Sequence, residues 1–189
     1  MKKLETSRLV LRNFEEKDLD DLFEYARLDT VGPNAGWMPH PDREHSKKIL
    51  NHFIEANDVF AIELKSENKV IGSVGLHKVD LLEKKGVYEL GYVLSTFYEK
   101  QGIMTEAVNK VLKYAFTEYG LEEVYVGHFV ENYRSQKLIS RFPFKFLLEH
   151  DYESRDYGKK KSKMYILTKE DYINWEENRW KLGVWKNYI

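Results

Sequence analysis

The stretch that offers chemistry most directly is Lys100-Gln101-Gly102-Ile103-Met104-Thr105-Glu106, where a single glycine leads into a well-patterned helix. A helix N-terminus leaves backbone N–H groups without partners and carries partial positive charge, so it suits a phosphate or pyrophosphate. Gly102 would let such an anion approach the backbone, and Lys100, Gln101 and Thr105 add donors around it. Turn geometry alone is the other reading of a helix that opens on glycine. Ahead of the junction runs Val87-Tyr88-Glu89-Leu90-Gly91-Tyr92-Val93-Leu94, and thirty residues after Gly102 comes Asn132-Tyr133-Arg134-Ser135.

Other chemistries find little support. The sequence has no Walker A run, GxGxxG, HExxH or GxSxG. Its six histidines, His40, His45, His52, His77, His128 and His150, are dispersed, and no pair has the i,i+4 spacing of a helical metal site, so no metal is expected. Without cysteine there are no disulfides, thiolate ligands or cysteine nucleophiles. A net charge of −1 from 30 basic and 31 acidic residues gives no overall footprint for nucleic acid or an anionic membrane. The opening "MKKLETSRLVLRNF" has only broken apolar stretches, so neither signal peptide nor membrane span is expected and the expected location is the cytoplasm. The basic run Lys159 to Lys163 reads as a solvated hairpin tip, with a phosphate contact as the alternative.

The elements that would position these residues follow from periodicity. At 189 residues, 42% hydrophobic and 32% charged, the chain suits one domain spanning 1–189. Arg8 to Phe14 reads as a strand; Leu19, Leu22, Phe23 and Ala26 mark a helix. "DTVGPNAGWMPHPD" holds three of the four prolines and reads as a shaped loop without regular structure. Asp42 is placed to cap a helix over Arg43 to Ala56. Strands are predicted at Val59 to Leu64, Val70 to Val79 and Val87 to Leu94, then a helix from Thr105 to Tyr119 with its stripe on Ala107, Val108, Val111, Leu112, Ala115 and Phe116. A strand Glu123 to Phe129, a short helix Tyr133 to Phe142, strands Phe144 to Tyr152 and Lys160 to Leu167, and a helix capped by Thr168 through about Lys181 complete an α+β order. The aromatic tail, about residues 176–189, is read as packed on the domain, with a homodimer contact as the alternative.

Taken together, Glu89-Leu90-Gly91-Tyr92, Gln101-Gly102-Ile103-Met104-Thr105-Glu106-Ala107, Tyr114-Ala115-Phe116 and Asn132-Tyr133-Arg134-Ser135 resemble the GNAT acetyltransferase superfamily, in its RimJ/RimL-like branch, over roughly residues 5 to 175. Glu99 and Lys100 depart from the aromatic-glycine pair usual there, and Pro143 stands where the glycine of a Gly-Phe pair usually lies. The resemblance implies a GNAT-like acyl-CoA N-acyltransferase fold: a central, mostly antiparallel twisted sheet of about seven strands flanked by helices. It implies acetyl-CoA as co-substrate, no metal, and an amine acceptor, either a protein N-terminus or a small molecule, with neither nucleic acid nor membrane as partner.

On the same resemblance the sheet opens after Tyr92, Val93 and Leu94 to receive the pantetheine arm, and the amides from Lys100 through Gln101, Gly102, Ile103 and Met104 to Thr105 hold the pyrophosphate. Glu89 is implied as base, or as the group that orders water to the amine; a structurally paired carboxylate is the alternative. Ser135 is implied as the proton donor to the leaving thiol or simply as part of a cap, with Tyr133 as a second acid. Asn132 would cap the helix and bond pantetheine. Asn34, Trp37 and His40 are candidates for shaping the acceptor cleft, and His77 faces that cleft or sits in the core. A non-catalytic acyl-CoA-binding module is the competing function.

Overall fold

The computed structural model describes residues 1–81 and 84–181, with side chains described through Arg179. Eight strands form one sheet: β1 (Leu4–Glu5), β2 (Leu9–Asn13), β3 (Val59–Leu64), β4 (Lys69–Leu81), β5 (Lys84–Leu94), β6 (Glu123–Phe129), β7 (Lys145–Ser154) and β8 (Gly158–Thr168). They lie in the order β1-β2-β3-β4-β5-β6-β8-β7. Every neighbouring pair is antiparallel except β5 and β6, which run parallel. Against the expected seven or so strands, the extra one is β1, two residues paired to Val10 and Leu11 and too short to show a period of its own.

Alternation along β3 builds two cores. Phe60, Ile62 and Leu64 join one cluster, with α4 (Ile103–Thr117) and α6 (Lys169–Lys181), while Val59 and Ala61 join the other, under α1 (Leu19–Ala26) and α3 (Arg43–Ala56). The α4 stripe explains that helix's strength: Ala107, Val108, Val111, Leu112, Ala115 and Phe116 are all fully buried. Phe116 stacks on Tyr172 of α6 with centroids 5.1 Å apart. Asp42 caps α3 as expected, its carboxylate accepting from the His45 N–H at 2.8 Å.

The proline-rich connection is less irregular than its composition suggests. A one-turn helix, α2 (Gly32–Ala35), forms within it, opened by Pro33 in its first turn and closed at Gly36, whose φ of 90° is left-handed. Gly32 is required there, since a Cβ would lie 2.5 Å from the Trp37 ring. The last helix runs to Lys181, so the expected packing of the tail beyond it, residues 182–189, lies outside the described residues.

Candidate active site

The site is made by a parting of strands. β5 stays paired to β4 as far as Leu94 opposite Gly72, and β6 stays paired to β8 as far as Phe129 opposite Ser162. Between β5 and β6, the pairing recorded among the described residues is Glu89 opposite Tyr125. The two central strands therefore diverge after Glu89, and Tyr92 to Leu94 lie beyond the point of parting. Their separated edges offer backbone groups that an amide-bearing ligand can pair with.

A cleft of about 770 Å3 occupies this parting and extends under α1, α3 and the α2 loop. Of the anticipated residues, it brings together Glu89, Tyr92, Val93, Asn132, Ser135, Asn34, Trp37, His40 and His77. Leu94 instead packs against the main core, and Ile103 and Met104 bury their side chains there, leaving the backbone as what they can offer a ligand.

Glu89 sits at the fork. Gly127 on β6 makes room for it, because a Cβ there would stand 3.2 Å from the Glu89 carboxylate. Burial raises the carboxyl above its ordinary value near 4.5, opposed by the nearby His77 and His150 imidazoles. A carboxylate so shifted is a better base near neutral pH than an exposed one. His77, its cross-strand neighbour, lies on the cleft side of the sheet, its ring over Gly91 and its Nδ1 3.1 Å from Asp58 Oδ2.

Ser135 is buried at the start of α5 (Tyr133–Ile139), and Asn132 holds it there. The Asn132 side-chain carbonyl accepts from the Ser135 N–H at 3.0 Å, while its amide donates to the Asn34 carbonyl at 3.1 Å. Asn132 thus caps α5 and also ties α2 to the β6–α5 turn. The Ser135 hydroxyl meets the Tyr92 phenol at 2.6 Å. Burial raises Tyr92 far above an ordinary phenol, against a smaller lowering by Ser135, so it stays protonated at neutral pH. Tyr133, the second acid anticipated from the motif, is 74% exposed and does not line the cleft. Tyr92 is the phenol that reaches Ser135. No sequence signal marks this, because the partners are 43 residues apart.

The opening of α4 is uncapped by any side chain. Lys100 and Gly102 both have positive φ, 61° and 75°, and Gly102 precedes the helix with no side-chain cap. The departure at Glu99 is neutralised by α5: Arg134 Nη1 donates to the Glu99 carboxylate, and its Nη2 donates to the Thr30 carbonyl at 3.1 Å. Arg141 donates to Thr105 Oγ1 at 2.8 Å. From the other side, Arg8 donates to the Gln101 carbonyl at 2.9 Å and to the buried Glu106 carboxylate at 2.7 Å. Burial pushes Glu106 upward, but hydrogen bonds from Thr6 and Arg8 and the charge of Arg8 outweigh this and hold it below the usual carboxylate range. These arginines are not legible in the sequence as site residues, since each acts through a residue distant along the chain.

The acceptor side is closed by two segments. Trp37 packs over Gly32 and against His40, with centroids 5.2 Å apart, so it is both a wall of the cleft and a structural support of the loop. The buried His40 has its Nδ1 2.7 Å from Ser46 Oγ, and burial, reinforced by His45, lowers its pKa to about 4. Asn34 donates to the Thr30 carbonyl at 3.0 Å. Across from them, the β7–β8 hairpin contributes Tyr152 from β7 and Arg155 and Asp156 from its turn to the lining. Among the described residues no group of His, Cys, Asp or Glu is placed to hold a metal, and no helix is long and apolar enough to cross a membrane.

Comparison with known proteins agrees with this fold. The family model described as "Acetyltransferase (GNAT) domain" matches residues 8–145. A Bacillus licheniformis protein named "Uncharacterized N-acetyltransferase p20" is 29% identical over 182 residues, covering 91% of this chain and 99% of its own length. A crystal structure of a GNAT-family acetyltransferase from Bacillus anthracis superposes with TM-score 0.79 at 23% identity, covering 89% of this chain and 99% of that one. The Vibrio cholerae spermidine N-acetyltransferase, solved in complex with CoA and spermine, superposes with TM-score 0.73 at 21% identity, covering 89% and 99% respectively. At these identities the two solved structures speak to the fold alone.

Proposed function

The chain belongs to the GNAT acetyltransferase family, and from that premise we propose that it transfers an acetyl group from acetyl-CoA to a primary amine by direct attack in a ternary complex, as a member of the RimJ/RimL-like branch. The observation that carries the proposal is the parting of β5 and β6 after Glu89, which leaves a carboxylate and the Tyr92–Ser135 pair on one cleft. Acetyl-CoA supplies the activated acetyl group as a thioester. Residues suited to hold it are present: the open edge from Tyr92 to Leu94 for the pantetheine amides, Asn132 beside it, and the backbone from Lys100 to Thr105 for the pyrophosphate.

Glu89 takes one proton from the bound ammonium, directly or through water, so that the neutral amine forms the C–N bond; the second proton, lost from nitrogen as the amide forms, leaves to solvent and balances the one given to sulfur. An α-amine, with a pKa of about 8, needs less help than a lysine near 10.4. Ser135 donates its hydroxyl proton toward the sulfur as the C–S bond breaks, and the neutral Tyr92 phenol replenishes it through their short contact. Asn34, Trp37 and His77 contact the acceptor. One such domain is the proposed reading of the chain, and dependence on acetyl-CoA suits a cytoplasmic enzyme.

A non-catalytic acyl-CoA-binding module draws its support from Glu99, and the Arg134 ion pair removes that charge objection. The test is acetyl-CoA binding by thermal shift followed by thiol release with a panel of amines. Saturable binding with amine-dependent thiol release is expected; tight binding without turnover on any amine would overturn the catalytic reading in favour of the binding module.

A further inference from the structure

The acceptor end of the cleft carries few charged groups. Its wall is largely aromatic and aliphatic, with Trp37, Met38, Phe129 and Tyr152 on it. Two carboxylates line the cleft, Glu89 and Asp156, and Asp156 is engaged: its Oδ2 accepts from the Met38 N–H at 2.9 Å. Among the lining residues the one permanently charged cation is Arg155, in the turn between β7 and β8.

That turn is no free tip. On one side of Arg155, the Ser154 hydroxyl donates to the Gly36 carbonyl at 2.8 Å and accepts from the Tyr157 N–H at 3.2 Å. On the other, Asp156 holds Met38. The backbone of Arg155 is therefore clamped to the α2 loop at the rim of the cleft. Its guanidinium has no hydrogen bond, ion pair or ring contact with another described residue. Arg155 is exposed, and a guanidinium carried on a clamped backbone beside an apolar wall can receive a carboxylate, which it matches bidentately. A second ammonium, as in a polyamine, would meet this cation and find no unengaged carboxylate besides Glu89.

We propose that the acceptor is an amino carboxylate with an apolar or aromatic body, an amino acid or short peptide, whose carboxylate pairs with Arg155 while its amine is presented to Glu89. This rests on the N-acetyltransferase reading of the same cleft. Arg155 is then a specificity-determining residue, acting on substrate binding and not on the proton transfers.

The test measures thiol release from acetyl-CoA with phenylalanine, glycyl-phenylalanine, phenethylamine and spermidine, with acetyl-CoA binding followed in parallel by thermal shift. The carboxylate-bearing acceptors should exceed phenethylamine in kcat/KM by roughly tenfold or more, the range of one charge-assisted contact. R155A should remove most of that preference through KM, R155K should restore part of it, and R155E should reverse it. A retained acetyl-CoA thermal shift reports that each variant is folded. Turnover of phenethylamine or spermidine equal to or better than the amino carboxylates, or an unchanged preference in R155A, overturns the acceptor assignment alone. Absence of turnover on every amine despite acetyl-CoA binding overturns the N-acetyltransferase reading, and the acceptor assignment with it.

Discussion

Gly102→Val separates the two demands made on the opening of α4. Gly102 holds φ 75° and ψ 3°, a left-handed conformation that costs an L-residue about 1–2 kcal/mol, toward the upper end for a β-branched side chain. At this chain length each kcal/mol moves Tm by about 2–4 °C, so the ligand-free variant should melt roughly 2–8 °C lower. If the backbone from Gln101 to Thr105 receives a pyrophosphate, the added side chain also blocks the approach. Loss of one charge-assisted hydrogen bond, about 1.5–3 kcal/mol, raises Kd by roughly tenfold to a hundredfold. Calorimetric titration with acetyl-CoA and thermal melting of the free protein read these effects separately. Gly102→Asn is the companion variant: asparagine tolerates the left-handed region, so Tm should fall less while the side chain still obstructs the anion. A Val variant with lowered Tm and unchanged Kd would refute the assignment of this loop to the pyrophosphate.

Three further perturbations address the rest of the site. Ser135→Ala should lower kcat by roughly a hundredfold with acetyl-CoA affinity little changed, and Tyr92→Phe should lower it by less; equal losses in binding would reduce both to packing roles. Glu89 has its folded pKa raised, so the folded state binds more protons than the unfolded state above the ordinary carboxylate value, and stability falls as pH rises through that window. Glu89→Gln should therefore flatten that loss of stability while reducing turnover, and the wild-type acid limb of kcat/KM should lie above the ordinary carboxylate range; a limb at the ordinary value, or full activity in Glu89→Gln, contradicts its role as base. Arg8→Ala leaves the Glu106 side chain, 5% exposed, without its cation. Because Arg8 itself is 41% exposed, the cost should fall near 2–3 kcal/mol, below that of a fully buried pair. The KM for acetyl-CoA should rise while the KM for the amine stays put, and a uniform loss of both would assign the pair to stability alone.

Features set by neighbours along the chain are legible in the sequence itself. The β3 and β6 strands have the bounds that their alternation predicts, Val59–Leu64 and Glu123–Phe129. The α4 stripe, the Asp42 cap and the Asn132 cap also follow from spacings of three or four residues. The unusual helix start at Gly102 is visible for the same reason: a glycine before an apolar period marks a left-handed residue and uncapped N–H groups. Where local signals are weak or conflicting, periodicity fails. β1 is too short for a period, and α2 hides in a segment whose prolines and glycines argue against regular structure.

What joins residues far apart in sequence has no such signal. The parting of β5 and β6 is a property of a parallel pair of strands whose outer partners keep them to different lines. Only the fold decides that Tyr92 meets Ser135, that Arg134 neutralises Glu99, or that Arg8 steadies both Gln101 and Glu106. The basic run Lys159 to Lys163, expected at a solvated hairpin tip, lies in β8, and the turn itself holds Arg155. It is part of the cleft because Ser154 and Asp156 bond a loop more than a hundred residues away. Periodicity and capping act over one turn or one strand and are written in adjacent residues, whereas a proton relay or a charge receptor depends on side chains converging in space, which the packing of the sheet alone arranges.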